Sequence, residues 1–152
     1  MLWLDLQKQT ILVVGLGYVG LSNAVLLSQQ HRVIGYDVDI QKINLLKSKK
    51  SPIVDVEIEK YLSKETLDLS FTANIETLND EVNYVVLSLP TNYSEVDNYF
   101  DTRLLDEVIR QFLDRYPQAY LVIKSTIPVG YTREISERYQ TNRVFFSPEF
   151  LR

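Results

Sequence analysis

Three glycines, Gly15, Gly17 and Gly20, fall within six residues of a chain that has only five glycines in 152. They follow directly on Ile11-Leu12-Val13-Val14, a continuous apolar run, β-branched at three of four positions, that reads as a strand buried on both faces. Helical spacing follows over 18–29. The spacing G-x-G-x-x-G is common in unrelated chains, but between a buried strand and a helix each glycine acquires a task. Gly15 makes the tight turn, Gly17 lets a ligand approach the backbone, and Gly20 lets the helix pack close to the sheet. The free amides and positive end of that helix then face an anion such as a phosphate. The competing reading is a glycine turn that holds no ligand.

The rest of the chain continues the alternation. A second strand over 32–36 ends at Asp37, and Asp39 is placed to cap a helix over 40–47. Ser51-Pro52 breaks the pattern, and Ile53, Val56, Ile58 and Leu62 suggest a short helix before a strand at 69–72. A buried strand over 84–89 is closed by Pro90, and the polar and aromatic stretch 91–101 has no period and reads as a loop. Leu104, Leu105, Val108, Ile109, Phe112 and Leu113 then mark one face of a helix that runs from Thr102 and ends before Pro117. A strand at 120–123, a helix at 131–139 and a strand at 144–146 complete the pattern. Six strands alternating with helices imply a doubly wound, mostly parallel six-stranded sheet of the Rossmann type in a single α/β domain.

Composition narrows the chemistry. With no cysteine, this chain carries no disulfide, thiolate metal site, iron–sulfur ligand or thiol nucleophile, and no metal site is expected. A net charge of -4 gives no general attraction to nucleic acid or an anionic membrane, so neither is an expected partner. No apolar run reaches the ~18 residues of a membrane span and no secretory leader is recognisable, which makes the expected location cytoplasmic. His31 sits at a helix end and reads as a helix-terminal charge, and Lys47, Lys49 and Lys50 as a solvated cluster.

Asp37 lies about where a dinucleotide site places the carboxylate that holds a ribose hydroxyl pair. A 2′-phosphate would meet Asp37 and Asp39 with only Lys42 nearby, so the expected cofactor is NAD rather than NADP. The alternative for Asp37 is a solvated strand end.

Several separated segments, taken together, resemble the N-terminal domain of the UDP-glucose 6-dehydrogenases and related nucleotide-sugar dehydrogenases over about 11–152. They are Val14-Gly15-Leu16-Gly17-Tyr18-Val19-Gly20-Leu21, Gly35-Tyr36-Asp37, Ser51-Pro52-Ile53, Pro90-Thr91-Asn92-Tyr93, Lys124-Ser125-Thr126-Ile127-Pro128-Val129-Gly130, and Phe146-Ser147-Pro148-Glu149-Phe150-Leu151-Arg152. Asn98-Tyr99-Phe100-Asp101-Thr102 looks more like the UDP-glucose branch than the GDP-mannose or UDP-N-acetylmannosamine branches.

The resemblance implies oxidation of a UDP-sugar 6-hydroxyl to a carboxylate with two NAD+, through an aldehyde and a cysteine thioester, in the service of polysaccharide synthesis. It also implies that Gly15, Gly17, Tyr18, Val19, Gly20, Asp37, Lys42, Thr91 and Thr126 meet the cofactor. Thr126 would also hold a catalytic water, Glu149 would act as general acid/base, and Glu149, Phe150, Leu151 and Arg152 would begin the substrate loop. Blander roles compete: Thr91 and Thr126 as loop caps, Lys42 as an exposed helix lysine, Glu149 as a solvated terminal side chain. The family continues with a UDP-sugar domain, carrying the catalytic cysteine, and with a homodimer helix. The expectation is therefore an NAD-binding domain fragment over 11–152, inactive alone and lacking its substrate domain; the alternatives are a non-catalytic NAD-binding regulatory or scaffold module, or the domain of another nucleotide-sugar dehydrogenase, for UDP-N-acetylmannosamine or GDP-mannose. Residues 1–10 form an extension outside the resemblance, with Leu2, Trp3, Leu4 and Leu6 either an artefact or an apolar flap.

Overall fold

The computed structural model describes residues 7–149 apart from 65, 79, 80 and 96–98. The expectations placed on residues 1–6, on Asn98 and on Phe150, Leu151 and Arg152 therefore lie outside the described residues.

The first strand, β1 (Thr10–Val14), is flanked by β2 (Arg32–Tyr36) on one side and β4 (Tyr84–Leu87) on the other. With β3 (Leu69–Thr72), β7 (Tyr120–Ile123) and β8 (Val144–Phe146) they form a six-stranded parallel sheet in the order β3-β2-β1-β4-β7-β8. The order reverses between β1 and β4, so the chain winds outward to one edge and then from the centre to the other.

Side-chain alternation along the strands feeds two cores. Ile11 and Val13 of β1 pack with α1 (Tyr18–Leu27), α2 (Ile40–Lys47) and α3 (Val56–Leu62) on one face. Leu12 and Val14 pack with α4 (Arg103–Arg115) and α5 (Tyr131–Arg138) on the other. This separation is the one that right-handed crossovers produce when the winding direction reverses. Burial on both faces explains why the central strands read as unbroken apolar runs rather than alternating ones.

The expected elements are present, with differences that have local causes. Helix α1 ends at Leu27 rather than at 29, where the Ser28 hydroxyl donates to Val25 O and the chain turns. Strand β4 ends at Leu87 rather than at 89, because the amide of Leu89 donates to Ser125 Oγ and leaves the ladder. The stretch 91–101, expected as a loop, contains a small antiparallel hairpin of β5 (Tyr93–Ser94) and β6 (Tyr99–Phe100). Two-residue strands are too short to show a period of two. The hairpin is closed by Asp101 N to Asn92 O at 2.8 Å and by the Tyr93 and Phe100 rings at 4.9 Å.

Candidate functional site

Parallel strands bring all their carboxyl ends to one edge, and the loops that follow β1, β2, β4, β7 and β8 meet there around a cleft of about 510 Å³. It lies across the β1–β4 boundary, where the direction of winding changes and open α/β sheets bind their ligands.

The glycine loop forms one wall. Gly15 has φ +87°, the left-handed region that a side chain disfavours, and its amide donates to Tyr36 O at 2.9 Å. A Cβ on Gly20 would stand 1.8 Å from Gly15 O, so the start of α1 passes too close to the loop for any other residue. Gly17 differs from both. Its φ of -78° suits any residue, and a Cβ there would meet nothing within 4 Å among the described residues. The chain's own packing does not demand this glycine, whereas a ligand lying against the backbone does.

The amino end of α1 tells the same story. It has no side-chain cap and no acidic residue in its first turn, whereas α2 and α3 begin with Asp39 and Asp55, each accepting two backbone amides. The open amides and the positive helix end suit the diphosphate of a dinucleotide. Ser88 Oγ, also on the cleft, is buried and has no hydrogen-bond partner among the described residues, another polar group that a ligand or water would complete.

Asp37 closes the cleft on the β2 side. Its Oδ2 accepts the Leu16 amide at 2.8 Å and Lys42 Nζ at 2.6 Å, and Oδ1 accepts the Asp39 amide at 3.0 Å. Burial acts to raise its pKa, but the bond from Lys42, the two amides and the charge of Lys42 outweigh it and hold the carboxyl below its ordinary 3.8. Lys42 is thus an ion-pair partner within the cleft rather than an exposed helix lysine. Asp39 caps α2, as its position predicted, by accepting the Gln41 and Lys42 amides.

The opposite rim is tied strand to strand. Thr91 donates its hydroxyl to Thr126 O at 2.7 Å, and Ser125 Oγ accepts from Leu89 N and donates to Leu89 O, at 2.9 and 2.7 Å. Thr91 therefore joins the loops after β4 and β7, the capping role that competed with a ligand contact, while Thr126 is exposed on the cleft. Tyr18 and Val19 line the same wall as the glycines.

Glu149 is held in the cleft rather than solvated. Its Oε2 lies 3.1 Å from Lys124 Nζ and 2.8 Å from Asn23 Nδ2. Burial raises its pKa, and the bonds from Asn23 and Lys124 with the charge of Lys124 overcome this and lower it, so Glu149 is ionised at neutral pH.

Sequence reasoning gave no role to Lys124, Asn23 or Ser88. Lys124 continues the alternation of β7 onto the α1 side of the sheet, and it also reaches Ser147 Oγ at 3.2 Å. Asn23 is a polar residue inside an apolar helix whose amide also donates one turn back to Val19 O. An unexplained polar residue on a buried helix was the available signal for it.

Among the described residues, no cluster of His, Asp or Glu could hold a metal ion, and no helix is long and apolar enough to cross a membrane.

Fold and cleft together define a dinucleotide-binding domain of the doubly wound class. Residues 9–152 match the UDP-glucose/GDP-mannose dehydrogenase family, NAD binding domain, and the chain belongs to that family. It is 44% identical over 142 residues to the UDP-glucose 6-dehydrogenase of Streptococcus pneumoniae, covering 93% of this chain and 36% of that protein. It is 39% identical to the UDP-glucose 6-dehydrogenase of Campylobacter jejuni, covering 93% and 37%. The structure of the UDP-D-ManNAc dehydrogenase from Pyrococcus horikoshii superposes with a TM-score of 0.81 at 29% identity, covering 94% of this chain and 37% of that one. The chain thus spans a little over a third of the length of these relatives, over the part that binds NAD.

Proposed function

We propose that this chain is the NAD-holding part of a UDP-glucose 6-dehydrogenase, which oxidises the 6-hydroxyl of UDP-glucose to a carboxylate in the cytoplasm and so supplies polysaccharide synthesis. The observation that carries the cofactor half of the reading is Gly17, a glycine the chain's own packing does not need, beside an uncapped helix end. The sugar half rests on the identity to the Streptococcus pneumoniae and Campylobacter jejuni enzymes.

In this reading the open amides after Gly15 and at the start of α1 hold the diphosphate, with Gly20 setting how close the helix comes and Tyr18 and Val19 flanking it. Asp37 takes the adenosine ribose hydroxyls. An ionised carboxylate offers about four acceptor positions, and three are already used, so one is open and the flexible Lys42 is the partner able to yield another. A 2′-phosphate would place negative charge against Asp37, so NADP is disfavoured. Thr91 and Thr126 border the nicotinamide end, where NAD supplies the hydride acceptor.

Glu149, kept ionised by Lys124 and Asn23, is placed to take or return a proton at the reacting sugar, with Thr126 holding a water beside it. Glu149 is also the start of the substrate loop that Phe150, Leu151 and Arg152 continue. The thioester stage needs a thiol, and this chain has no cysteine; the UDP-sugar pocket, that thiol and the homodimer contact belong to further sequence of the kind the longer relatives have. Over 11–152 the chain acts as the NAD-binding domain and does not turn over UDP-glucose alone.

Titration calorimetry with the purified 152-residue chain tests the cofactor assignment: NAD binds, NADP binds at least ~10-fold more weakly, and tighter NADP binding overturns the role of Asp37. Absorbance at 340 nm during incubation with NAD and UDP-glucose stays flat. A steady rise would show that the chain is a complete catalyst.

A further inference from the structure

Among the described residues, Asp37 is the one charged residue that is buried, at 8% exposure. Three donors from three parts of the chain hold its carboxylate there: the Leu16 amide of the glycine loop, the Asp39 amide ahead of α2, and Lys42 Nζ from the first turn of α2. Leu16 N and Lys42 Nζ converge on one oxygen, Oδ2, and Asp39 N meets the other. Two main-chain amides and an ammonium aimed at a single oxyanion are also the donors that hold a phosphate.

We infer that Leu16 N, Asp39 N and Lys42 Nζ form an anion site that the chain fills with its own carboxylate, and that Lys42 is the residue that lets this site take the 2′-phosphate of NADP once Asp37 is replaced. The specificity half of this inference rests on the cleft being an NAD site; the anion half does not. Counted by side chains, a 2′-phosphate finds only Lys42 to receive it, and the structure adds two amides at the same point. The preference for NAD then comes from Asp37 occupying the site, not from a shortage of phosphate ligands. In the parent chain the Lys42 charge is neutralised by Asp37 at 2.6 Å. Without Asp37 the nearby acidic group is Asp39, whose Oδ1 is already engaged by the Gln41 and Lys42 amides.

Asp37→Ala removes the resident oxyanion from the 152-residue chain. In melts followed by circular dichroism, about 100 mM inorganic phosphate, set against chloride of equal ionic strength, should raise the melting temperature of this variant by ~3 °C more than that of the parent. The excess should vanish when Lys42→Met is added. Calorimetry reads the cofactor: the ratio of NADP to NAD affinity should rise at least ~10-fold in Asp37→Ala and fall back in the double variant. Asp37→Ser carries both measurements should Asp37→Ala not fold. Phosphate that stabilises the variant no more than the parent overturns the anion site, and an excess that survives Lys42→Met overturns the role of Lys42. A phosphate excess with an unchanged NADP ratio overturns the specificity half. A parent chain that binds no NAD overturns the cofactor reading and the specificity half with it, and the melts alone then decide the anion site.

Discussion

The three loop glycines do three different things, and substitution separates them. Gly20→Ala drives a methyl onto Gly15 O and should cost ~1–3 kcal/mol of stability or more in urea unfolding, an overpacking effect. Gly17→Ala meets nothing, so its stability should stay within ~0.5 kcal/mol of the parent while NAD affinity measured by calorimetry falls at least ~10-fold. The sequence pattern already gives the three positions different tasks; the backbone geometry adds how tight each one is, with Gly20 against Gly15 O and Gly17 in open space among the described residues. Asp37 carries a pH dependence of definite sign. Its folded-state pKa is below the ordinary value, so its contribution is complete above the unfolded pKa of ~3.9 and is lost as pH falls through the lower folded value. Asp37→Asn is therefore destabilising at pH 7, and urea titrations should show the gap closing in more acid solution. The partners of Asp37 escaped sequence reasoning in part: Lys42 was named as a cofactor contact, but the Leu16 amide is a backbone donor and leaves no trace in side-chain chemistry.

Elements whose signal is local were legible, and elements joined by distant contacts were not. The five-residue strand β1 and the amphipathic α4 announce themselves through apolar spacing. The chain between β3 and β4 has no such period, and it is pinned from afar by Arg115 of α4, whose Nη2 donates to Ile75 O at 2.9 Å and Leu78 O at 2.7 Å. Arg115→Ala leaves both carbonyls without this donor and should destabilise by about 1–3 kcal/mol in denaturant melts, with faster amide exchange concentrated between β3 and β4. The Glu149 site was legible to the same degree. The glutamate was named from its motif, whereas Lys124 and Asn23, from β7 and α1, converge on it only in three dimensions.

For the whole molecule, the two cores share their strands, so neither face can lose its packing alone. Unfolding should follow one transition, and NAD at a hundred times its Kd should raise stability by ~2.7 kcal/mol and the melting temperature by ~5–10 °C; two resolved transitions in calorimetry would contradict the shared-strand argument. The sheet also narrows outward, from five residues in β1 to four in β3 and three in β8. Among the described residues, each margin of the sheet is thus a strand of only three or four residues. A passing extended peptide finds too little there to template on, which guards a sheet with open sides against edge-to-edge polymerisation.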